Sequence, residues 1–558
     1  MKKCSLCHGE FEVSIDEVDF LKKINFKFGD KTVAFLEPTQ CPDCRNMIRT
    51  SHRNEQYLYQ RKSDLSGKQL ISLYDPLSSR GKNYTVYSQS EWHGDSWDST
   101  VYGRDFDFSR SFFEQFYELN DAVPKMALIA VGNENSDFTT GTGYCKNCYL
   151  INSSEYCEDC YYGKLLQSCH DSVDCSYLYD SERCYECFSC RKCYGCVHVY
   201  YSQNCSDCFF SENLNGCKNC FLCTNLNNKE YYFMNQTLDK KEYQCRVEEF
   251  MGSYSNFKKA SEILKKLRCE RIHKYSNITN SENCTGDFII GSRNCHNCYD
   301  MNDSEDCRNV WLGVQVKDVY DCSNMYIKPE LNYQVMGTIE TFHVAFSLYI
   351  FHSQNVLYSE QIHHSKDLFG CVGMKNKQYC ILNKQYPKEE YSRMVERIVE
   401  HMVETGEWSQ FFPPQYSPHG YNESLASEYY PLSKQVVTSR GWHWHEDRTQ
   451  AAYQGEHYPI SDNIKAVPED IIQHILECEK AKKLYKIIPH ELRFYKSMKV
   501  PIPRLCPDER HKNRMLLRNP RHLWGRKCAK CQSNIQTTYA PDRSEMVLCG
   551  ECYLGEVY

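Results

Sequence analysis

The chain has 558 residues, 41% of them hydrophobic, with 43 tyrosines, 35 cysteines and a formal net charge of −7. That length holds several structural units. The acidic balance excludes a protein built throughout to neutralise nucleic acid, and no run approaches the roughly 20 apolar residues of a membrane span.

In chain order, residues 1–130 open on Cys4-x2-Cys7 followed by Cys41-x2-Cys44, a four-thiolate zinc pattern. Directly after the second pair, Arg45, Arg49 and Arg53 recur every four residues, which on a helix lines three guanidinium groups on one face. The start, Met1-Lys2-Lys3-Cys4-Ser5-Leu6-Cys7, lacks the apolar core of a signal peptide, and 35 thiols would scramble in an oxidising compartment. The expected location is the reducing cytoplasm.

Residues 131–239 change character. Read in steps of three from Cys145 to Cys223, 27 positions hold 16 Cys, five Ser, three Leu and one each of Ile, Val and Gly. A period of three fits neither a helix nor a flat strand. Over it lies a period of twelve, as in Cys184, Cys196, Cys208 and Cys220, with a local unit S-x-N-C-x-N-C-[YF] at Ser202–Phe209. Together these predict a short-period β-solenoid with small residues pointing inward. Most of the thiols then read as buried packing residues, with metal binding at Cys184–Cys196 as the alternative.

Residues 240–275 predict a helical cap, one helix over about 240–272 with Cys245 and Cys269 in its core. Residues 276–386 repeat the solenoid: Ile289, Ser292, Cys295, Cys298, Met301 and onward to Cys322, then, after a phase slip, Ser347, Ile350, Ser353 and onward to Cys371. Aliphatic residues here occupy the frame that Cys holds earlier. Residues 221–243 match 369–391 at nine of 23 positions, and each copy closes a run and leads into a helix. Residues 387–470 begin with an amphipathic helix (Tyr391, Met394, Val395, Ile398, Val399, Met402) and continue as an irregular connection rich in Pro and aromatics. Within it, His443 and His445 with His457 form a weak metal pattern.

Residues 471–558 contain Cys528-x2-Cys531 followed by Cys549-x2-Cys552, and Arg510, Arg514 and Arg518 at the same four-residue spacing. This end is a copy of the first: residues 41–66 align without a gap on 506–531, with ten of 26 positions identical. Each end therefore carries two linked ribbons. At the first end the second ribbon has Ser63, Ser66, Ser88 and Glu91 where its counterpart has Cys528, Cys531, Cys549 and Cys552. At the other end the first ribbon keeps Cys478 and Cys506 but has Ala481 and Glu509. One structural zinc per end is expected, with no open position for an activated water.

The two arginine stripes admit two readings. They are a phosphate-binding face for nucleic acid, or they pack on a neighbouring ribbon and pair with acids such as Asp64 or Glu551. The repeated CPxCR–R–RN element, the S-x-N-C-x-N-C-[YF] array and the NK-x-Y–N–KEEY caps resemble a family of uncharacterised cysteine-rich zinc-ribbon proteins of candidate-phylum bacteria, over nearly the whole chain. The resemblance implies no activity; some members are filed as type III CoA-transferases, and no catalytic constellation here supports that. The expected protein is mainly β, two solenoid runs with helical caps between zinc-ribbon (α+β) modules. Its expected role is a zinc-binding, non-enzymatic scaffold for a protein partner. Nucleic-acid binding, and iron–sulfur or redox chemistry on the Cys ladder, are the alternatives.

Overall fold

A computed structural model describes residues 1–446 and 458–557. The protein is mainly β, with two large sheets of parallel strands, and the Cys clusters at both ends fit zinc-ribbon-like modules. The first stack runs from Ala130–Val131 to Glu230–Phe233, and the second from Ile278–Thr279 to Gln378–Ile381. Most strands pair at an offset of twelve, as in Leu178 on Cys190 and Val356 on Leu368.

The three-residue frame has a backbone cause. From Tyr144 to Asn228 every third residue is left-handed, with φ between 43° and 63°, and it directly precedes the inward-facing residue. Only Gly195 and Gly216 in that series are glycines, although the conformation costs other residues roughly 1–2 kcal/mol. Neighbouring strands offset this cost by taking up the backbone groups on both sides: Tyr156 N–H donates to Gly143 at 2.9 Å, and Lys146 N–H to Cys157 at 2.8 Å.

The inward residue completes the turn. Ser181 Oγ donates to the Tyr179 carbonyl at 2.8 Å and accepts the Cys193 N–H at 2.9 Å. Cys thiols occupy the same place more loosely, as when Cys190 donates to the carbonyls of Phe188 (3.4 Å) and Val199 (3.2 Å). Small residues with a weak donor suit this buried position, and Ile289, Val310 and Val319 take it in the second stack.

The phase slip lies at Ile327 and Lys328, two consecutive left-handed residues. Across them the register shifts to thirteen (Ser323 on Met336) and then returns to twelve. Each stack closes on a short antiparallel strand, Gln236–Thr237 and Lys384–Gln385. Asn235 and Asn383 turn these corners. Asn383 Oδ1 accepts the Val372 N–H at 2.8 Å and its Nδ2 donates to the Val372 carbonyl at 2.8 Å, standing in for the strand that does not follow. Asn235 does the same for Thr224.

The expected single helix over 240–272 is two, Lys240–Phe250 and Tyr254–Glu270, broken at Gly252 with φ +84°. Cys245 and Cys269 are exposed, not core: each lies off the packed face of its own helix, formed by Tyr243 in the first and by Phe257, Ala260 and Leu264 in the second. Helix Lys388–Glu404 buries Tyr391, Val395, Ile398 and Met402, the apolar stripe read from the sequence. Among the described residues no helix is long and apolar enough to cross a membrane.

The modules dock in a crossed manner. Phe20, Phe35 and Phe116 of the first module share a core with Tyr333, Phe346 and Tyr358 of the second stack. Leu492, Phe494 and Tyr495 of the last module share one with Tyr185, Val197 and Phe210 of the first stack.

Candidate metal centres

Both centres rest on the same local fold. A two-strand hairpin turns through a left-handed residue, and the turn's N–H groups point back at the first cysteine. Cys4 N–H donates to Gly9 and His8 N–H returns to the Cys4 carbonyl; Cys528 N–H donates to Ser533 and Gln532 N–H returns to Cys528. His8 and Gln532 are the left-handed residues. The second pair of each centre opens a helix: Pro42–Thr50 follows Cys41, and Gly550–Val557 follows Cys549.

The ligand atoms of Cys4, Cys7, Cys41 and Cys44 lie within 4.8 Å of one another, as do those of Cys528, Cys531, Cys549 and Cys552, and each group could hold a metal ion. Among the described residues no other cluster of three or more metal-ligating side chains meets that spacing, the Cys ladder included. Cys7 and Cys41 sulfurs are 3.8 Å apart, and Cys531 and Cys549 3.7 Å. Backbone N–H groups favour thiolates here: Cys41 N–H donates to Cys4 Sγ and Cys549 N–H to Cys528 Sγ, both at 3.3 Å. Burial raises the Cys528 thiol, but the N–H groups of Cys531, Cys549 and Lys530 bring it down to about 6.

The two ligand-poor ribbons keep this fold. Ser63 N–H donates to Lys68 and Gly67 N–H to Ser63; Cys478 N–H donates to Lys483 and Lys482 N–H to Cys478. At the first, the four ligand positions still converge. Glu91 accepts Ser63 Oγ at 2.6 Å, Ser88 Oγ at 2.8 Å and Ser88 N–H at 2.9 Å, and it also bonds Ser66. Burial opposes the charge, yet these bonds hold the Glu91 carboxyl down to about 2. A carboxylate and three hydroxyls thus stand where the copy has four thiols. Changing Ser63, Ser66, Ser88 and Glu91 together to Cys is expected to add about one metal equivalent per chain, measured by elemental analysis. An unchanged count would mean that the fold, though kept, no longer presents a ligand cage.

The two arginine stripes lie inside the molecule. All six guanidinium groups are paired or packed within the chain, and none is presented to a phosphate. Arg45 lies between Glu17 (2.8 Å) and Asp321 (2.8 Å). Its copy Arg510 lies between Glu491 (3.5 Å) and Asp174. Glu17 and Glu491 occupy the same place in the duplicated ribbon. Arg49 donates to Gln334 at 3.0 Å, and Arg514 to Asp174 at 2.9 Å and the Tyr162 carbonyl at 3.0 Å. Arg518 pairs with Asp300 of the second stack at 2.6 Å and lies over Tyr177 and Phe288. Arg53 pairs with Glu55 (2.6 Å), which in turn holds Lys164 of the first stack at 3.1 Å. The geometry of Arg45, Arg49, Arg53, Arg510, Arg514 and Arg518 is thus that of clamps between parts of the chain, and it lends no support to the nucleic-acid reading. The partners are the stack carboxylates Asp174, Asp300 and Asp321, Gln334, and Glu17, Glu55 and Glu491 of the modules themselves, rather than Asp64 or Glu551. The aligned Glu17 and Glu491 were the one sequence signal that could have identified them.

The irregular connection threads the middle of this network. Glu428 takes Lys164 at 2.8 Å and His511 at 3.0 Å, and Tyr430 OH accepts from Asn46 at 3.2 Å. His445 lies 3.5 Å from Asp75 and 3.6 Å from Glu423, and His457 lies outside the described residues.

No protein-family model matches the chain, and no curated protein does. Among solved structures it is similar to a "putative acetyltransferase" from Desulfovibrio desulfuricans G20, at 8% identity and a TM-score of 0.11, over 41% of this chain and 63% of that one. The chain thus spans less than two thirds of that structure's length, and a likeness at this level carries no argument about fold or activity.

Proposed function

We propose that this protein is a cytoplasmic, non-enzymatic scaffold: two β-solenoid runs of twelve residues per coil, locked by two structural zinc ions, presenting an extended surface to a protein partner. The family resemblance read from the repeated elements belongs to this proposal and adds no activity to it. The observation that carries the reading is that the reactive groups are spent on the chain itself. Eight thiols close two four-ligand sites with no open position, and six arginines clamp the stacks.

Zinc suits the geometry. A tetrahedron with zinc–sulfur bonds of about 2.3 Å has sulfurs roughly 3.8 Å apart, close to the 3.8 and 3.7 Å observed. The twelve-residue register with a left-handed corner every third residue supports the solenoid, whose four short sides would each be three residues long. Among the described residues, one side of the first run is exposed. Its outward residues include Glu134, Lys146, His170, Glu182, Tyr194 and Lys218, all exposed and spaced by multiples of twelve, a mixed polar ladder of the kind repeat proteins offer to partners.

The deciding measurement is metal content per chain after anaerobic purification without added metal. About two zinc and no iron is the expected result. Four or more zinc, or stoichiometric iron, would overturn the scaffold reading in favour of storage or electron transfer on the ladder.

A further inference from the structure

We propose that Cys478 and Cys506, the two thiols left in the ligand-poor ribbon of the last module, form a peroxide-reactive dithiol that closes reversibly to a disulfide. By the duplication they stand where Cys4 and Cys41 stand in the intact centre. The other two positions offer a metal nothing. Ala481 has no donor, and Glu509 is drawn onto Lys480 (2.8 Å) and Lys512 (2.9 Å).

The polarity of its hydrogen bonds sets Cys478 apart from most ladder thiols, Cys223 and Cys322 being ladder thiols that also accept a backbone N–H, from Asn235 and Val335. In the ladder, the Cys187 and Cys190 S–H groups donate to carbonyls. Cys478 sulfur instead accepts: the Ala481 N–H reaches it at 3.4 Å, and the N–H groups of Cys506 and Lys480 and the Cys506 thiol bond it as well. Burial opposes ionisation of Cys478, but these donors lower its pKa, while burial pushes Cys506 up to about 11. The arrangement is a thiolate beside a thiol. Both side chains are buried, at 0% and 3% exposure, beneath exposed Lys480 and Lys482, so a small oxidant suits the site better than a bulky disulfide.

The chemistry needs one hydroperoxide. The Cys478 thiolate attacks one peroxide oxygen and breaks the O–O bond, giving a sulfenic acid and hydroxide, which is neutralised to water by the proton the Cys478 thiol released to solvent on ionising. The Cys506 sulfur then attacks the sulfenic sulfur and releases water, with the Cys506 proton leaving on it. Two thiols lose two electrons and one peroxide gains them. The bond would staple the helix Pro507–Met515, which carries Arg510 and Arg514, to the hairpin of Leu476–Glu477 and Leu484–Tyr485, the task that metal performs in the copy.

The test uses the full metal-loaded chain, titrated with hydrogen peroxide, alkylated and mapped by mass spectrometry. A Cys478–Cys506 peptide should appear at about one equivalent, before any ladder thiol reacts, and dithiothreitol should reverse it. In Cys506→Ser, a sulfenic-acid probe such as dimedone should label Cys478; in Cys478→Ser, Cys506 should stay unlabelled. If both thiols remain free until the terminal Cys groups oxidise, or the probe labels neither variant, the proposal fails. A wild-type chain holding one metal more than Cys478→Ser would also overturn it, by showing that the pair binds metal instead.

Discussion

Arg510→Ala should destabilise the protein by about 3–5 kcal/mol, read from denaturant or thermal unfolding, because it takes the cation from buried Glu491 and leaves buried Asp174 with Arg514 alone. Arg510, Glu491 and Asp174 have side-chain exposures of 3%, 0% and 0%. Arg45→Ala should behave alike, since Glu17 and Asp321 are 3% and 0% exposed. Arg293→Ala, at an exposed pair with Glu305, should change stability by less than about 0.5 kcal/mol. A phosphate-binding stripe predicts the reverse: near-normal stability and a salt-dependent loss of nucleic-acid affinity. That outcome would restore the nucleic-acid reading.

Acid should act on the same network. Burial raises the Glu55 carboxyl, but Lys164 and Arg53 beside it hold it down to about 2, below its ordinary 4.5. Its contribution is therefore present above pH about 4.5 and is lost as pH falls towards 2.

The second large effect concerns the last metal centre. Cys528→Ala should remove about one metal equivalent and open a local region, not the stacks. Structural thiolate sites bind metal with roughly 10–16 kcal/mol, so the strands and helix around this one depend on it. Strand Met546–Leu548 pairs with Ile272–Lys274, and Tyr553 OH accepts a hydrogen bond from Asn213 at 2.5 Å. Hydrogen exchange should accelerate at 272–274 and 546–557 and stay slow at Leu178 and Val356. Unchanged metal content, or exchange spreading through both stacks, would refute this assignment.

Much of this was legible because local constraints repeat. The inward frame, the twelve-residue spacing, the paired asparagine corners and the two thiol groups each recur within the chain, and a recurrence can be read without coordinates. The left-handed corners were half-visible: Asn147, Asp159, Asp171 and Asn204 sit in the frame before the inward residue, but Tyr156, Leu165 and Phe210 share it and hide the rule. Gly252, which breaks the first cap helix, is an ordinary helix interruption in sequence. The crossed docking was not legible. Periodicity reports which face is buried and is silent on what buries it.

That crossing sets an order in time. Arg45 and Asp321 are 276 residues apart. At about 5–20 residues per second of synthesis, the first module waits on the order of 15–55 s before its docking surface has been made. Through that interval Arg45 has Glu17 but not Asp321, and Phe20 and Phe35 lack Tyr320 and Phe346, the rings of the second stack that they pack on. The last module meets the first stack already built. Two halves with one architecture thus have different histories: one is an intermediate that has to be kept from aggregating, and the other docks on arrival.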